Sequence, residues 1–143
     1  MLSYTCKTAV KAVIYLASKE GQGEKASLKE IAEYIDASEH TVGKFLQTLV
    51  KQGVINSVKG PSGGFYISAA QREKPIIHIV TAIDGNQVFT GCGLGLSKCS
   101  SSHPCPIHYE YKEARDLLEK IFSSKKVSDL CKPVSSGLAY LIG

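Results

Sequence analysis

The amino-acid sequence predicts a mainly α-helical chain with one small β-hairpin, an α+β fold. Apolar residues recur at helical spacing over residues 3–53, two short β-branched runs flank a glycine- and proline-rich turn at residues 54–68, and another apolar stripe follows at residues 107–123. The chain has 143 residues, 43% of them hydrophobic and 21% charged, which is enough to bury a core. We expect two functional parts, residues 1–74 and residues 75–143.

The first part begins with three predicted helices. Residues 3–19 form the first, which the segment 21–23 ends. Ser27 and Glu30 have the spacing of a capping box and open a short second helix, while Ser38 can cap a third that Gly53 closes. Two short amphipathic helices joined by a tight turn form a helix-turn-helix, whose second helix presents its first polar residues to a partner.

A hairpin follows directly. Residues 54–59 and 65–68 are two strand-like runs around the turn 60–64, and a hairpin in this place is a wing. The fold predicted for residues 1–74 is therefore a winged helix-turn-helix. The glycine-rich turn is not a nucleotide-binding loop, because no Lys-Ser or Lys-Thr follows it and no helix begins there.

Charge is distributed unevenly and favours a nucleic-acid partner. Residues 40–72 contain no Asp or Glu but carry Lys44, Lys51, Lys59 and Arg72, which equals the net charge of +4 of the whole chain. A basic surface binds phosphates, and although a solvated face would look the same, the surrounding helix-turn-helix and wing favour duplex DNA. We expect the DNA-binding residues to be Ser27, Ser38, His40, Thr41, Lys44, Lys59, Ser62, Gly63 and Gly64.

The second part contains a cysteine-rich loop after a predicted helix at residues 75–83. Cys92, Cys99 and Cys105 lie with His103 and His108 in a segment rich in Gly, Ser and Pro. Cysteine is usually buried, and a flexible loop offers little burial, so soft thiolate and imidazole donors there indicate an iron–sulfur cluster or another soft metal. Zinc held by three cysteines and a histidine, or a thiol–disulfide switch without metal, are the alternatives.

A long helix at residues 107–123 ends the regular structure, and its apolar stripe is interpreted as a dimer seam rather than only core packing. Five cysteines without a dense disulfide framework favour a cytoplasmic protein, and no segment resembles a secretion signal or a membrane span. A glycine- and serine-rich loop is a poor platform for Cys-His catalysis, so an enzyme is not predicted.

The wing at residues 57–66 and the cysteine loop placed after the helix that ends at Asp84 resemble the Rrf family of bacterial regulators, of the IscR and NsrR type. The resemblance implies a homodimer on a pseudo-palindromic promoter site. It also implies a [2Fe–2S] or [4Fe–4S] cluster that modulates DNA binding, with Lys59 at the position of a basic wing residue. Its ligands would be Cys92, Cys99, Cys105 and, as the fourth, His108 or else Cys6 of the partner subunit.

Overall fold

The computed structural model describes residues 1–19 and 23–143, and its architecture confirms the mainly helical fold with a two-stranded antiparallel hairpin. Gly21 and Gln22, expected to help end the first helix, lie outside the described residues. The elements in chain order are α1 (Tyr4–Ser18), α2 (Leu28–Tyr34), α3 (Glu39–Lys51), β1 (Asn56–Val58), β2 (Gly64–Tyr66), α4 (Ala69–Arg72), α5 (Ile77–Asp84), α6 (Gln87–Thr90), α7 (His108–Ser124) and α8 (Val127–Ser135).

The predicted helix ends are confirmed. The Ser27 side chain accepts a hydrogen bond from the backbone N–H of Glu30, and the Ser38 side chain accepts one from Thr41. Gly53 follows the last turn of α3 with φ +76°, and its N–H and that of Val54 donate to carbonyls of the final turn. A glycine is favoured here because this left-handed conformation is costly for other residues.

The capping box predicted at Ser27 forms only in part. The Glu30 carboxylate does not return to the cap but accepts hydrogen bonds from the Tyr15 hydroxyl and the Lys19 ammonium of α1, each at 2.5 Å. The hydrogen bond from Lys19 is the main cause that lowers the pKa of Glu30. Glu30 therefore joins α2 to α1 rather than closing its own helix.

The core surrounds α1, which packs against α3, α5 and α8. Eight of the fifteen residues of α1 are buried, as expected for a helix enclosed on several sides. The α3 face that was predicted to be apolar points into this core. The fully buried side chains include Val13, Ile31, Val42, Leu46, Leu49, Ile55, Ile79 and Val127.

The two strands of the hairpin are shorter than predicted, and the hairpin is hydrogen-bonded to the segment that precedes α2. Asn56, Ser57 and Val58 pair with Tyr66, Phe65 and Gly64. Ala26, just before α2, exchanges two backbone hydrogen bonds with Phe65, at 2.9 and 2.8 Å. The strands end early because the flanking side chains of Ile55 and Ile67 turn into the core.

Three short elements, α4, α6 and α8, were not predicted. The last has a structural role, because Val127 and Cys131 are buried where α8 lies against α1. Cys131 accepts a hydrogen bond from the Arg72 guanidinium at 3.5 Å, which joins α8 to α4. Packing of α1 against α5 and α8 means that residues 1–74 and 75–143 share one core, and their functional division stays a prediction. No helix among the described residues has the length and apolar character needed to cross a membrane.

Candidate nucleic-acid interface and cysteine loop

The N-terminus of α3 carries four of the residues predicted to contact DNA. His40 and Lys44 are exposed. The Ser38 hydroxyl accepts from the Thr41 N–H at 3.2 Å and donates to the Thr41 hydroxyl at 3.0 Å. Ser38 and Thr41 therefore fix the first turn of α3, while His40 and Lys44 are the side chains free to reach a ligand.

A groove of about 590 Å³ separates α3 from the wing. Ser27, Lys59, Gly63 and Gly64 all line this groove, which brings Ser27 beside three wing residues that come much later in the sequence. Ser62 lies at the exposed tip of the wing beside the groove rather than in it. The Ser27 hydroxyl is already engaged in capping α2.

Gly63 and Gly64 are required by the close approach of backbone segments. A Cβ at Gly63 would lie 2.0 Å from the carbonyl oxygen of Val58, and one at Gly64 would lie 2.6 Å from that of Ala26. Both contacts are with backbone, which cannot move aside as a flexible side chain can. These glycines therefore shape the wing, and their half-buried backbone borders the groove.

The basic surface predicted from residues 40–72 is exposed on α3 and the wing. Lys44, Lys51 and Lys59 are exposed, and none of them forms an ion pair with any residue in the described ranges 1–19 and 23–143. Their charges are therefore not neutralised within the chain and remain available to an anionic partner.

The cysteine loop spans residues 91–107, between α6 and α7, and brings its donors together in two pairs. The Cys99 sulfur lies 3.4 Å from Nδ1 of His108, the first residue of α7. The backbone N–H groups of Leu94 and Leu96, the former at 3.4 Å, lower the pKa of the Cys92 thiol and so favour the thiolate that binds metals. The nearby Cys105 side chain lowers the same pKa to a smaller extent.

The two pairs are not brought into one cage. Within the described part of the chain, no three Cys, His, Asp or Glu side chains are arranged to hold a single metal ion. An iron–sulfur cluster differs from a single ion in that its ligands bind different iron atoms, so two separate donor pairs suit it better than they suit zinc.

One residue at this site carries positive charge and was not predicted. Arg115 of α7 is only 7% exposed, and its Nη1 donates to the carbonyl oxygens of Thr90 and Gly91, at 3.1 and 2.6 Å, and to the Cys99 sulfur at 3.1 Å. Its Nε is buried without a hydrogen-bond partner among the described residues. A buried guanidinium with an unpartnered N–H fits a site that holds negative charge, as a thiolate-ligated cluster does.

The other candidate donors lie elsewhere. Cys6 is fully buried in α1, and burial together with the nearby Asp84 carboxylate raises the pKa of its thiol to about 12. Such a thiol is a poor metal ligand, because the thiolate is the ligating form. His103 is exposed, and its side-chain hydrogen bond among the described residues is with the neighbouring Ser102 hydroxyl. His108, 6% exposed and beside Cys99, is therefore the better candidate for the fourth ligand.

The helix that follows the loop has two different faces. His108 and Arg115 lie on the inner face of α7 with the half-buried Leu118 and Phe122. The predicted apolar stripe is divided, because Leu117 and Ile121 turn outward and are 59% and 44% exposed. A single helix thus contacts the cysteine loop on one side and presents an apolar surface on the other.

Comparison with known proteins decides the family. The sequence model of the Rrf2 family, described as an iron-dependent transcriptional regulator, matches residues 2–133. The chain belongs to the Rrf2 family. Among its relatives, the regulator NsrR of Geobacillus kaustophilus is 23% identical over 95% of this chain and 92% of its own length. The regulator IscR of Photorhabdus laumondii is 25% identical over 85% of this chain and 73% of its own length.

Solved structures agree with the fold of this Rrf2 protein. T. potens IscR superimposes with a TM-score of 0.74, at 22% identity, over 98% of this chain and 92% of its own. Staphylococcus aureus CymR in its oxidized form superimposes with a TM-score of 0.72, at 25% identity, over 92% of this chain and 96% of its own. The chain is thus a DNA-binding transcriptional regulator of the Rrf2 family and not an enzyme, as the sequence predicted.

Proposed function

We propose that this Rrf2 regulator is a cytoplasmic homodimer whose affinity for promoter DNA depends on an iron–sulfur cluster, [2Fe–2S] or [4Fe–4S]. The ligands are Cys92, Cys99, Cys105 and His108. The observation that supports the cluster most is that the Cys99 sulfur contacts both Nδ1 of His108 and the buried Arg115 guanidinium, with Cys92 and Cys105 near each other in the same loop. When bound, a cluster with a histidine ligand supplies a centre that responds to redox state and to protonation.

DNA binding is proposed to use α3 and the wing of each protomer. His40 and Lys44 at the start of α3 would enter the major groove, and Lys59 and Ser62 would meet the backbone beside it. This surface is shaped by caps and close backbone approaches at Ser38, Thr41, Ser27, Gly63 and Gly64. Its exposed lysines, which form no ion pair within the described part of the chain, support the assignment.

The link between loop and DNA surface is proposed to be α7. His108 and Arg115 contact the loop, and the exposed Leu117 and Ile121 on the opposite side of the helix are suited to pack against a second copy of the chain. An apolar face of this kind on a DNA-binding protein fits a two-fold dimer that reads two half-sites. Binding or loss of the cluster in the loop would then act on α7, the same helix that sets the distance between the DNA-binding surfaces of the two protomers.

Anaerobic purification tests the cluster. The expected result is visible absorbance with iron and acid-labile sulfide, all lost in Cys99→Ala and retained in the control Cys131→Ala, whose thiol lies buried against α1. Promoter duplexes selected from genomic DNA should bind loaded and cluster-free protein with affinities that differ by about tenfold or more, the size of a typical allosteric coupling. A colourless protein without iron or sulfide would overturn the proposal.

A second function is favoured by the proximity of two thiols. Because the Cys92 and Cys105 side chains lie near each other, a peroxide could oxidise both thiols to one disulfide, while the peroxide is reduced to water and takes up the two protons. The likeness to CymR solved in an oxidized form is consistent with such a switch. Metal analysis and thiol counting separate the possibilities. Iron with acid-labile sulfide supports the cluster, and zinc alone supports a structural zinc site. The loss of two thiols on peroxide treatment supports the disulfide switch.

A further inference from the structure

The least expected charge in the molecule is that of Arg115. It lies on the inner face of α7, two helical turns after His108, and 93% of its surface is buried. Removing a guanidinium from water is costly, and buried cations are normally paired with a carboxylate or another anion. No carboxylate of the described residues forms an ion pair with Arg115, and its Nε has no hydrogen-bond partner among them.

The three acceptors that Arg115 does contact all belong to the cysteine loop or its start. Two are the backbone carbonyls of Thr90 and Gly91, where α6 ends and the loop begins. The third is the Cys99 sulfur, which also touches His108. One side chain therefore fixes the beginning and the middle of the loop on α7, and of its three acceptors only the sulfur can carry a full negative charge.

We propose that Arg115 is a positioning residue: it holds the cysteine loop on α7, places the Cys99 sulfur beside His108, and supplies the buried positive charge that an anionic thiolate-ligated cluster needs. The charge function rests on the proposed cluster, whereas the positioning function does not. All three contacts are made by one nitrogen, Nη1, at the far end of the side chain, and a lysine, which is one bond shorter, does not place its ammonium at that position.

Two substitutions separate the two functions. Arg115→Met removes the charge at similar length and is expected to leave the rest of the fold intact, because the carbonyls that it frees belong to the exposed Thr90 and the half-buried Gly91 and can bind water instead. Arg115→Lys keeps the charge on a shorter side chain. The matched control is Arg72→Met, since Arg72 also donates to a cysteine sulfur, that of Cys131, but far from the loop.

Amide hydrogen exchange in the cluster-free protein tests positioning. In Arg115→Met and in Arg115→Lys, amides of residues 91–100 should exchange about tenfold faster than in the wild type, because the local opening free energy falls. Amides of α1 and α3 should be unchanged in both, which also verifies that the variants are folded. Arg72→Met should leave the loop amides as they are in the wild type. Equal exchange of the loop in Arg115→Met and wild type would overturn the proposal.

Release of iron to a chelator under anaerobic conditions tests the charge. Outer-shell partners of metal ligands commonly change metal retention by about 10- to 100-fold, so Arg115→Met should release iron at least about tenfold faster, with Arg115→Lys between it and the wild type. Equal release from all three would overturn the charge function. A wild type without iron and sulfide would refute the proposed cluster instead, and loop exchange would still decide positioning.

Discussion

Replacement of Lys59 by alanine gives a quantitative test of how the wing meets DNA. Lys59 lies on the exposed wing, lines the groove between the wing and α3, and forms no ion pair with any residue that the structure describes. Moving its ammonium to a phosphate therefore costs little free energy. Replacing Lys59 by alanine removes one charge and breaks no ion pair of the described residues.

The size of the effect follows from counterion release. A dimer carries two copies of Lys59, and each phosphate contact contributes about 0.9 to the slope of log affinity against log salt, so Lys59→Ala should make the slope less steep by about 1.8. Because of this difference of about 1.8 in slope, the ratio of wild-type to Lys59→Ala affinity for DNA should fall by about tenfold between about 50 and about 200 mM salt.

Fluorescence anisotropy of one labelled promoter duplex, titrated at several salt concentrations, measures the two slopes. The control is Lys112→Ala, because Lys112 is also exposed but lies on α7 and pairs with Asp116 at 2.6 Å. Its slope should equal that of the wild type. Parallel salt dependences for Lys59→Ala and the wild type would refute a phosphate contact by the wing.

Two further perturbations test the wing backbone and the dimer. Gly63→Ala should weaken DNA binding by about tenfold or more and lower the thermal midpoint by several degrees, because its Cβ would lie 2.0 Å from the Val58 carbonyl oxygen and the turn must shift, a strain of about 1–3 kcal/mol. Unaltered affinity would contradict this requirement. Placing charge on the outer face of α7, as Leu117→Glu with Ile121→Glu, should yield a folded monomer by sedimentation and circular dichroism. A persistent dimer would exclude this face as the seam.

Most of the fold prediction depended on local sequence signals at the ends of helices. The caps at Ser27 and Ser38 and the glycine stop at Gly53 depend on a few neighbouring residues, and the structure contains all three. The second half of the capping box failed because Glu30 finds stronger partners in Tyr15 and Lys19, which only the packing of α2 on α1 brings near.

Long-range packing accounts for what was missed. Pro133 and the polar residues around it argue against a helix, yet α8 forms because its packing on α1 buries Val127 and Cys131 and offsets the one backbone hydrogen bond that Pro133 cannot donate. The burial of Arg115 was missed since an arginine on a helix is usually solvated. Its spacing of seven residues from His108 places both on one face and was the available signal.

The pair of hydrogen bonds between Ala26 and Phe65 has a consequence for regulation. Ser27, next to Ala26, caps α2, so the wing, α2 and α3 form one rigid DNA-binding unit. A signal therefore has little freedom to change the shape of this unit. In the proposed dimer it would instead change the distance between the two DNA-binding units, so sensing should alter which half-site spacing is tolerated and leave the preferred bases of each half-site unchanged.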